Sequence, residues 1–157
     1  MSRVITFATR FPGYHPRAGQ LTHFREEILF PLMVPFPMNI EGLYSKHHTI
    51  RKTSRWKPGE RFSPRFWSGT PRRSKQEFIF PQHEDLEIKK VWTIEIMPGR
   101  ISREMPMVKI DNRQKPLNLL QLSKLANNDG LSLTDFIHWF NEPFTGQIIC
   151  WNSTIKY

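Results

Sequence analysis

The sequence predicts a mixed α+β domain, a small β-barrel or curled sheet with short helices packed at its side. Three observations carry this. The chain has 157 residues, the length of one domain with a core of its own. Thirteen prolines and eight glycines imply frequent turns and short strands. The apolar pattern runs strand, helix, several strands, two helices, strand, without an internal repeat, low-complexity tract or linker. Residues 1–157 therefore read as a single domain.

Arg3 to Arg10 alternates as a strand, with apolar residues on both faces, and so is expected at the centre of a sheet. Pro12 to Gly19 is turn-rich. Thr22 has the chemistry of an N-cap for a short helix with Phe24, Ile28 and Leu29 as its apolar stripe. Pro31 to Pro37 reads as an extended apolar loop. Lys57-Pro58-Gly59-Glu60 is a turn feeding a strand from Arg61 to Trp67. Ser68-Gly69-Thr70-Pro71 turns again, and Gln76 to Phe80 forms the next strand. Glu87 to Met97 is the clearest strand, ended by Pro98-Gly99, and Met107 to Ile110 pairs with it.

The pattern changes at Leu117. Leu117, Leu120, Leu122 and Leu125 recur at helical spacing through Ala126, and Gly130 suits a C-cap. Ser132-Leu133-Thr134-Asp135 resembles a capping box that opens a second helix, which stops at Pro143. Thr145 to Trp151 is the last strand.

Composition narrows the function classes. Cys150 is the single cysteine and lies in an apolar run, so it reads as a buried inert thiol, and no internal disulfide is available. No targeting segment or membrane span is visible, which implies a cytoplasmic protein with no membrane partner. The net charge is +9, and its placement is uneven. Lys46 to Gln76 holds ten Lys or Arg and one acid, Glu60. The rest of the chain holds thirteen of each sign, so the excess sits in one stretch. Such a stretch either solvates a loop or marks a polyanion footprint. The interleaved Trp56, Phe62, Phe66 and Trp67 favour the second reading, with Trp56 or Trp67 stacking on a base. Candidate ligand residues are Arg51, Arg55, Trp56, Arg65, Trp67, Arg72, Arg73 and Lys75.

Several chemistries fall away. There is no Gly-rich phosphate loop, no cysteine cluster for zinc and no serine elbow. His47 and His48 are adjacent, so on a strand their rings point oppositely and cannot easily share a metal. No metal and no cofactor is expected. What remains is Lys46-His47-His48-Thr49-Ile50-Arg51. A partly desolvated lysine loses its proton more readily and could activate Thr49, while Arg51 holds a substrate oxygen. On a regular strand Lys46 faces away from Thr49 and Arg51, so the pair needs a turn or bulge between them. On spacing alone, a basic strand edge without chemistry is the plainer reading.

This segment resembles the signature of the ASCH (activating signal cointegrator homology) domains, which have the PUA-like fold. That signature is Gly, then Lys two residues on, then Glu or Thr three later, then Arg two beyond. Lys46, Thr49 and Arg51 match its last three places, and Tyr44 stands at the glycine place. Val4 to Phe7, Trp56 to Glu60, Glu87 to Ile96 and Ala126 to Phe136 are similar to further parts of the family, so the likeness covers most of the chain. Pro12 to Gln20, Pro31 to Pro37 and much of Trp67 to Leu86 read as insertions, as in longer bacterial and phage members.

The resemblance implies a PUA-like small β-barrel flanked by short helices. It implies an RNA or modified-nucleoside ligand, and in one branch an amidohydrolase that deacetylates N4-acetylcytidine. The implied catalytic residues are Lys46 as base, Thr49 as nucleophile and Asp129 in place of the family's glutamate. Asp129 alone also suits a helix-ending turn beside Gly130. The rival classes are a noncatalytic module for RNA or phage DNA, and a protein-interaction domain docking through Ile28 to Met38. The oligomeric state stays open.

Overall fold

The computed structural model describes residues 3–33, 41–100 and 104–157. Its elements are β1 (Arg3–Phe7), α1 (Phe24–Met33), β2 (His48–Arg51), β3 (Arg61–Trp67), β4 (Gln76–Phe78), β5 (Leu86–Glu87), β6 (Lys90–Met97), β7 (Met107–Ile110), α2 (Leu119–Asn128), α3 (Leu133–Trp139) and β8 (Phe144–Cys150). The fold is mixed α+β, with two four-stranded sheets.

In the first sheet β3 is the hub. It runs parallel to β1, with Ile5 opposite Pro64, and antiparallel to β4 and β5. The second sheet has the order β2-β8-β6-β7 and is antiparallel throughout. Period-two alternation sets its register: Ile94 and Ile96 turn inward against Ile110 and Val108, while Thr93, Glu95 and Met97 face out. Trp151 lies where the sheets meet, with its ring 6.0 Å from Phe7 and 5.8 Å from Phe62.

Three expectations about the strands change. The run from Glu87 to Met97 is divided, with Glu87 in β5 of the first sheet and Lys90–Met97 forming β6 of the second. β1 is an edge strand, paired with β3 alone, and it buries one face only: Ile5 and Phe7 are buried while Val4 faces outward. The sheets are open where a closed barrel was expected. The reason is local. At the gap between β1 and β2, the Arg51 Nη2 donates to the Thr6 carbonyl at 2.8 Å, so a side chain bridges strands that no ladder joins. Gly146 in β8 allows the Arg51 backbone to come close: a Cβ there would meet the Arg51 carbonyl oxygen at 2.1 Å.

The helices also depart from expectation: Leu120, expected in the apolar stripe of α2, is exposed, and Leu122, Leu125 and Ala126 carry its buried face. The Thr22 hydroxyl accepts from the Phe24 N–H at 3.4 Å, but α1 begins at Phe24 and His23, at φ 60°, holds the capping position, so Thr22 stands one residue before the cap it was expected to be. Pro31 lies inside α1 rather than in a loop. The remainder of the apolar stretch, residues 34–38, lies outside the described residues. α2 opens with a reciprocal capping box between Asn118 and Gln121, and ends at Asp129 with Gly130 at φ +81°. Ser132 caps α3 by accepting from the Asp135 N–H. Arg17 Nη1 donates to the Asp135 carboxylate at 2.6 Å, which pins the Pro12–Gln20 segment onto α3. Tyr14 Oη strengthens that seam by donating to the Trp139 carbonyl at 2.8 Å.

Candidate functional site

The site begins with spare helix carbonyls. Pro31 has no N–H for the Glu27 carbonyl four residues back. That oxygen accepts instead from the Lys46 N–H at 3.0 Å. At the end of α2 the Asn128 carbonyl, free of helical partners, accepts from the His47 N–H at 2.8 Å. Two helix ends thus hold Lys46 and His47 just before β2 starts at His48. Lys46 escapes the strand alternation that would have turned it away from Thr49.

The Lys46 side chain is 2% exposed. Its Nζ donates to Asp129 Oδ1 at 2.9 Å and also to the Asp129 carbonyl. The cation therefore sits at the C-terminal end of α2, where the helix dipole favours positive charge. Phe24 lies beneath it, with Nζ 4.2 Å from the ring centroid. Lys46, Thr49, Arg51 and Asp129 line one cavity of about 80 Å³, closed by Phe7, Ala8, Phe24, Ile50, Trp139 and Phe140. Arg51 Nε donates to Thr49 Oγ1 at 3.2 Å, which fixes the hydroxyl and places a positive charge beside it.

Burial governs the electrostatics. It pulls the Lys46 ammonium below the ordinary lysine range, and Asp129 resists that pull. Burial pushes the Asp129 carboxyl up, but Lys46 and His48 outweigh it and hold the group below the usual carboxylate range. The pair is ionised, yet Lys46 gives up its proton more readily than a solvated lysine. Burial likewise lowers Arg51. Above the pair lies Glu27, pushed up to about 8 by burial. Its Oε1 accepts from the Tyr44 N–H at 3.2 Å, and its Oε2 has no hydrogen-bond partner. Gly130 leaves room for it, since a Cβ there would stand 2.2 Å from that oxygen.

A larger cleft of about 560 Å³ adjoins the cavity through Arg51. Val4, Ile5, Thr6, Lys52, Thr53, Arg55, Trp56, Trp67 and Arg72 complete its lining. The predicted ligand residues are thus partly gathered. Arg51, Arg55, Trp56, Trp67 and Arg72 share this cleft. Arg65 turns to Ser63 and lies over the Phe78 ring, 4.4 Å from its centroid. Arg73 and Lys75 are exposed on the turn between β3 and β4.

Trp56 needs a correction. The residue is 4% exposed, its ring meets Phe62 edge-on, and the Arg3 guanidinium lies 3.6 Å from the ring centroid. The face a base would need is already covered. Its backbone is tied to Gln147 by two amide hydrogen bonds of 3.1 Å, so Trp56 is a core residue. Trp67 is partly exposed and stays available for stacking.

Sequence reasoning missed Glu27, His48, Tyr157 and Gln147. Glu27 follows Glu26 at a helix start, His48 lies in a basic stretch, and Gln147 and Tyr157 stand near apolar residues, so only burial reveals them. Among the described residues no group of three or more His, Cys, Asp or Glu side chains could hold a metal ion. Nor is any described helix long and apolar enough to cross a membrane. Comparison with protein-family models, curated proteins and solved structures finds no match to this chain.

Proposed function

We propose that this chain is an ASCH-like domain of the PUA-like kind that takes RNA or a modified nucleoside, and that it hydrolyses the amide of an N4-acylated cytidine. The observation that carries this reading is the buried Lys46–Asp129 pair sharing one cavity with Thr49 and Arg51.

The chemistry follows from the contacts. Moving one proton along the 2.9 Å bond from Lys46 to Asp129 gives a neutral amine and a neutral acid, a form that burial favours over two desolvated charges. The amine takes the Thr49 proton as the hydroxyl oxygen attacks the acyl carbonyl. Arg51 faces the oxyanion that forms. Collapse breaks the C–N bond, and the Lys46 ammonium returns a proton to the leaving cytosine amine. Water then attacks the Thr49 ester, giving its proton to Lys46; the bond from the acyl carbon to Thr49 Oγ breaks, the Lys46 ammonium returns that proton to Oγ, and the carboxylic acid leaves. A cavity of about 150 Å³ is what a benzene ring needs. At about 80 Å³ this one accepts the acyl end alone, and the ring rests outside it.

Thr49→Ala is expected to abolish acetate release from N4-acetylcytidine, leaving less than about 1% of the wild-type rate. Full activity in the variant would remove Thr49 from the mechanism. Wild-type protein without turnover would end the hydrolysis reading for this substrate.

The basic cleft supports a second, noncatalytic reading. Arg51, Lys52, Arg55 and Arg72 offer phosphate contacts beside Trp67, an arrangement suited to a polynucleotide strand. Arg55→Gln with Arg72→Gln removes two such contacts. The slope of log K against log salt for a single-stranded RNA should then become shallower by about 1.4. An unchanged slope in a binding titration would take the cleft out of the interface.

A further inference from the structure

His48 is fully buried beside Asp129, yet the proposed reaction gives it no part. Its two ring nitrogens face different partners. Nε2 lies 2.6 Å from Tyr157 Oη. Nδ1 lies 3.6 Å from Asp129 Oδ1 and has no hydrogen-bond partner. A core histidine with only a packing role would have both nitrogens satisfied.

The proton positions follow from Asn128. Its Nδ2 donates to the same Tyr157 Oη at 2.9 Å. An amide nitrogen only donates, so the phenol oxygen accepts there, and its own proton is left for His48 Nε2. A neutral imidazole whose Nε2 accepts carries its proton on Nδ1. The ring is neutral, because burial and the neighbouring Lys46 outweigh the pull of Asp129. Burial also keeps the Tyr157 phenol protonated.

We infer that Asn128, Tyr157 and His48 form a relay that presents the His48 Nδ1–H to Asp129, which makes His48 and Tyr157 positioning residues for that carboxylate. At 3.6 Å the contact is electrostatic rather than a hydrogen bond. Lys46 holds Asp129 Oδ1 at 2.9 Å, and His48 stands behind it on the same oxygen. In the resting ion pair Lys46 is the hydrogen-bond donor to Asp129 Oδ1, and a buried carboxylate is stabilised by a second. A small shift of the imidazole supplies one. The catalytic part of this inference rests on the amide-hydrolysis reading; the proton arrangement does not.

Two measurements test it. In ¹⁵N-labelled protein, imidazole nitrogen–proton correlation spectra should show His48 neutral with its proton on Nδ1 between about pH 6 and 8. Tyr157→Phe removes the donor to Nε2 and should bring in the Nε2–H tautomer. A wild-type ring protonated on Nε2 alone, or a Tyr157→Phe spectrum identical to wild type, overturns the relay. The second measurement is turnover of N4-acetylcytidine. His48→Asn keeps an N–H near the Nδ1 place and should retain most activity, while His48→Leu should lose on the order of tenfold. Equal losses in both variants overturn the positioning role. If the wild type shows no turnover, the hydrolysis reading falls, and the tautomer still decides the relay.

Discussion

Lys46→Met is expected to destabilise the protein by roughly 3–5 kcal/mol and to abolish amide hydrolysis. The side chain is almost fully buried, and among the described residues its Nζ is the one hydrogen-bond donor to Asp129 Oδ1. Methionine fills much of the same volume, so packing changes little. What changes is charge: the Asp129 carboxylate loses its direct cation and stays buried, with His48 Nδ1 3.6 Å away and the Arg51 guanidinium elsewhere in the same cavity. Adding Asp129→Asn removes that stranded charge and should restore more than half of the lost stability, because replacing both partners of a buried pair is far milder than removing one. Urea denaturation of the two variants measures both effects. A single-variant loss below about 1 kcal/mol would mean that Asp129 finds water or another cation in solution.

The second large effect concerns Glu27 and pH. Burial raises its pKa from an ordinary 4.5 to about 8. Between those values the native protein holds a proton that the unfolded chain has released. Stability is therefore fully present below about pH 4.5, falls as pH rises, and has lost the whole contribution once pH passes about 8. At pH 7 the loss from this group is about 2–4 kcal/mol. Glu27→Gln keeps the shape and an oxygen for the Tyr44 N–H, and it carries no charge in either state. The variant should be more stable than wild type at pH 7 by about that amount, and its advantage should vanish near pH 4. Stability curves that run parallel across this range would show that Glu27 ionises freely in the native state.

Much of the fold was legible from local pattern. β3 spans Arg61–Trp67 and β7 spans Met107–Ile110, as the alternation and turn residues predicted, and β7 pairs with β6. The cap at Ser132 was readable because capping needs only a side-chain oxygen two or three residues from the N–H it serves. Pro31 misled because a proline in the third turn of a helix leaves a carbonyl unpaired, and here Lys46 takes it. Trp56 misled because a tryptophan among arginines looks solvated until a guanidinium covers its ring.

The sequence by itself determined the residue types that can meet at one place: a lysine, a threonine and an arginine on one short segment, and an aspartate at a helix end. It also determined that the excess positive charge lies in that same part of the chain. Tertiary structure alone decided that Lys46 and Asp129, 83 residues apart, would be paired and dehydrated. It decided as well that Glu27 and His48 would be shut in beside them. The physical reason is that a side chain's proton affinity and charge cost depend on the water removed around it. That water is displaced by residues far away in sequence, which no local pattern records.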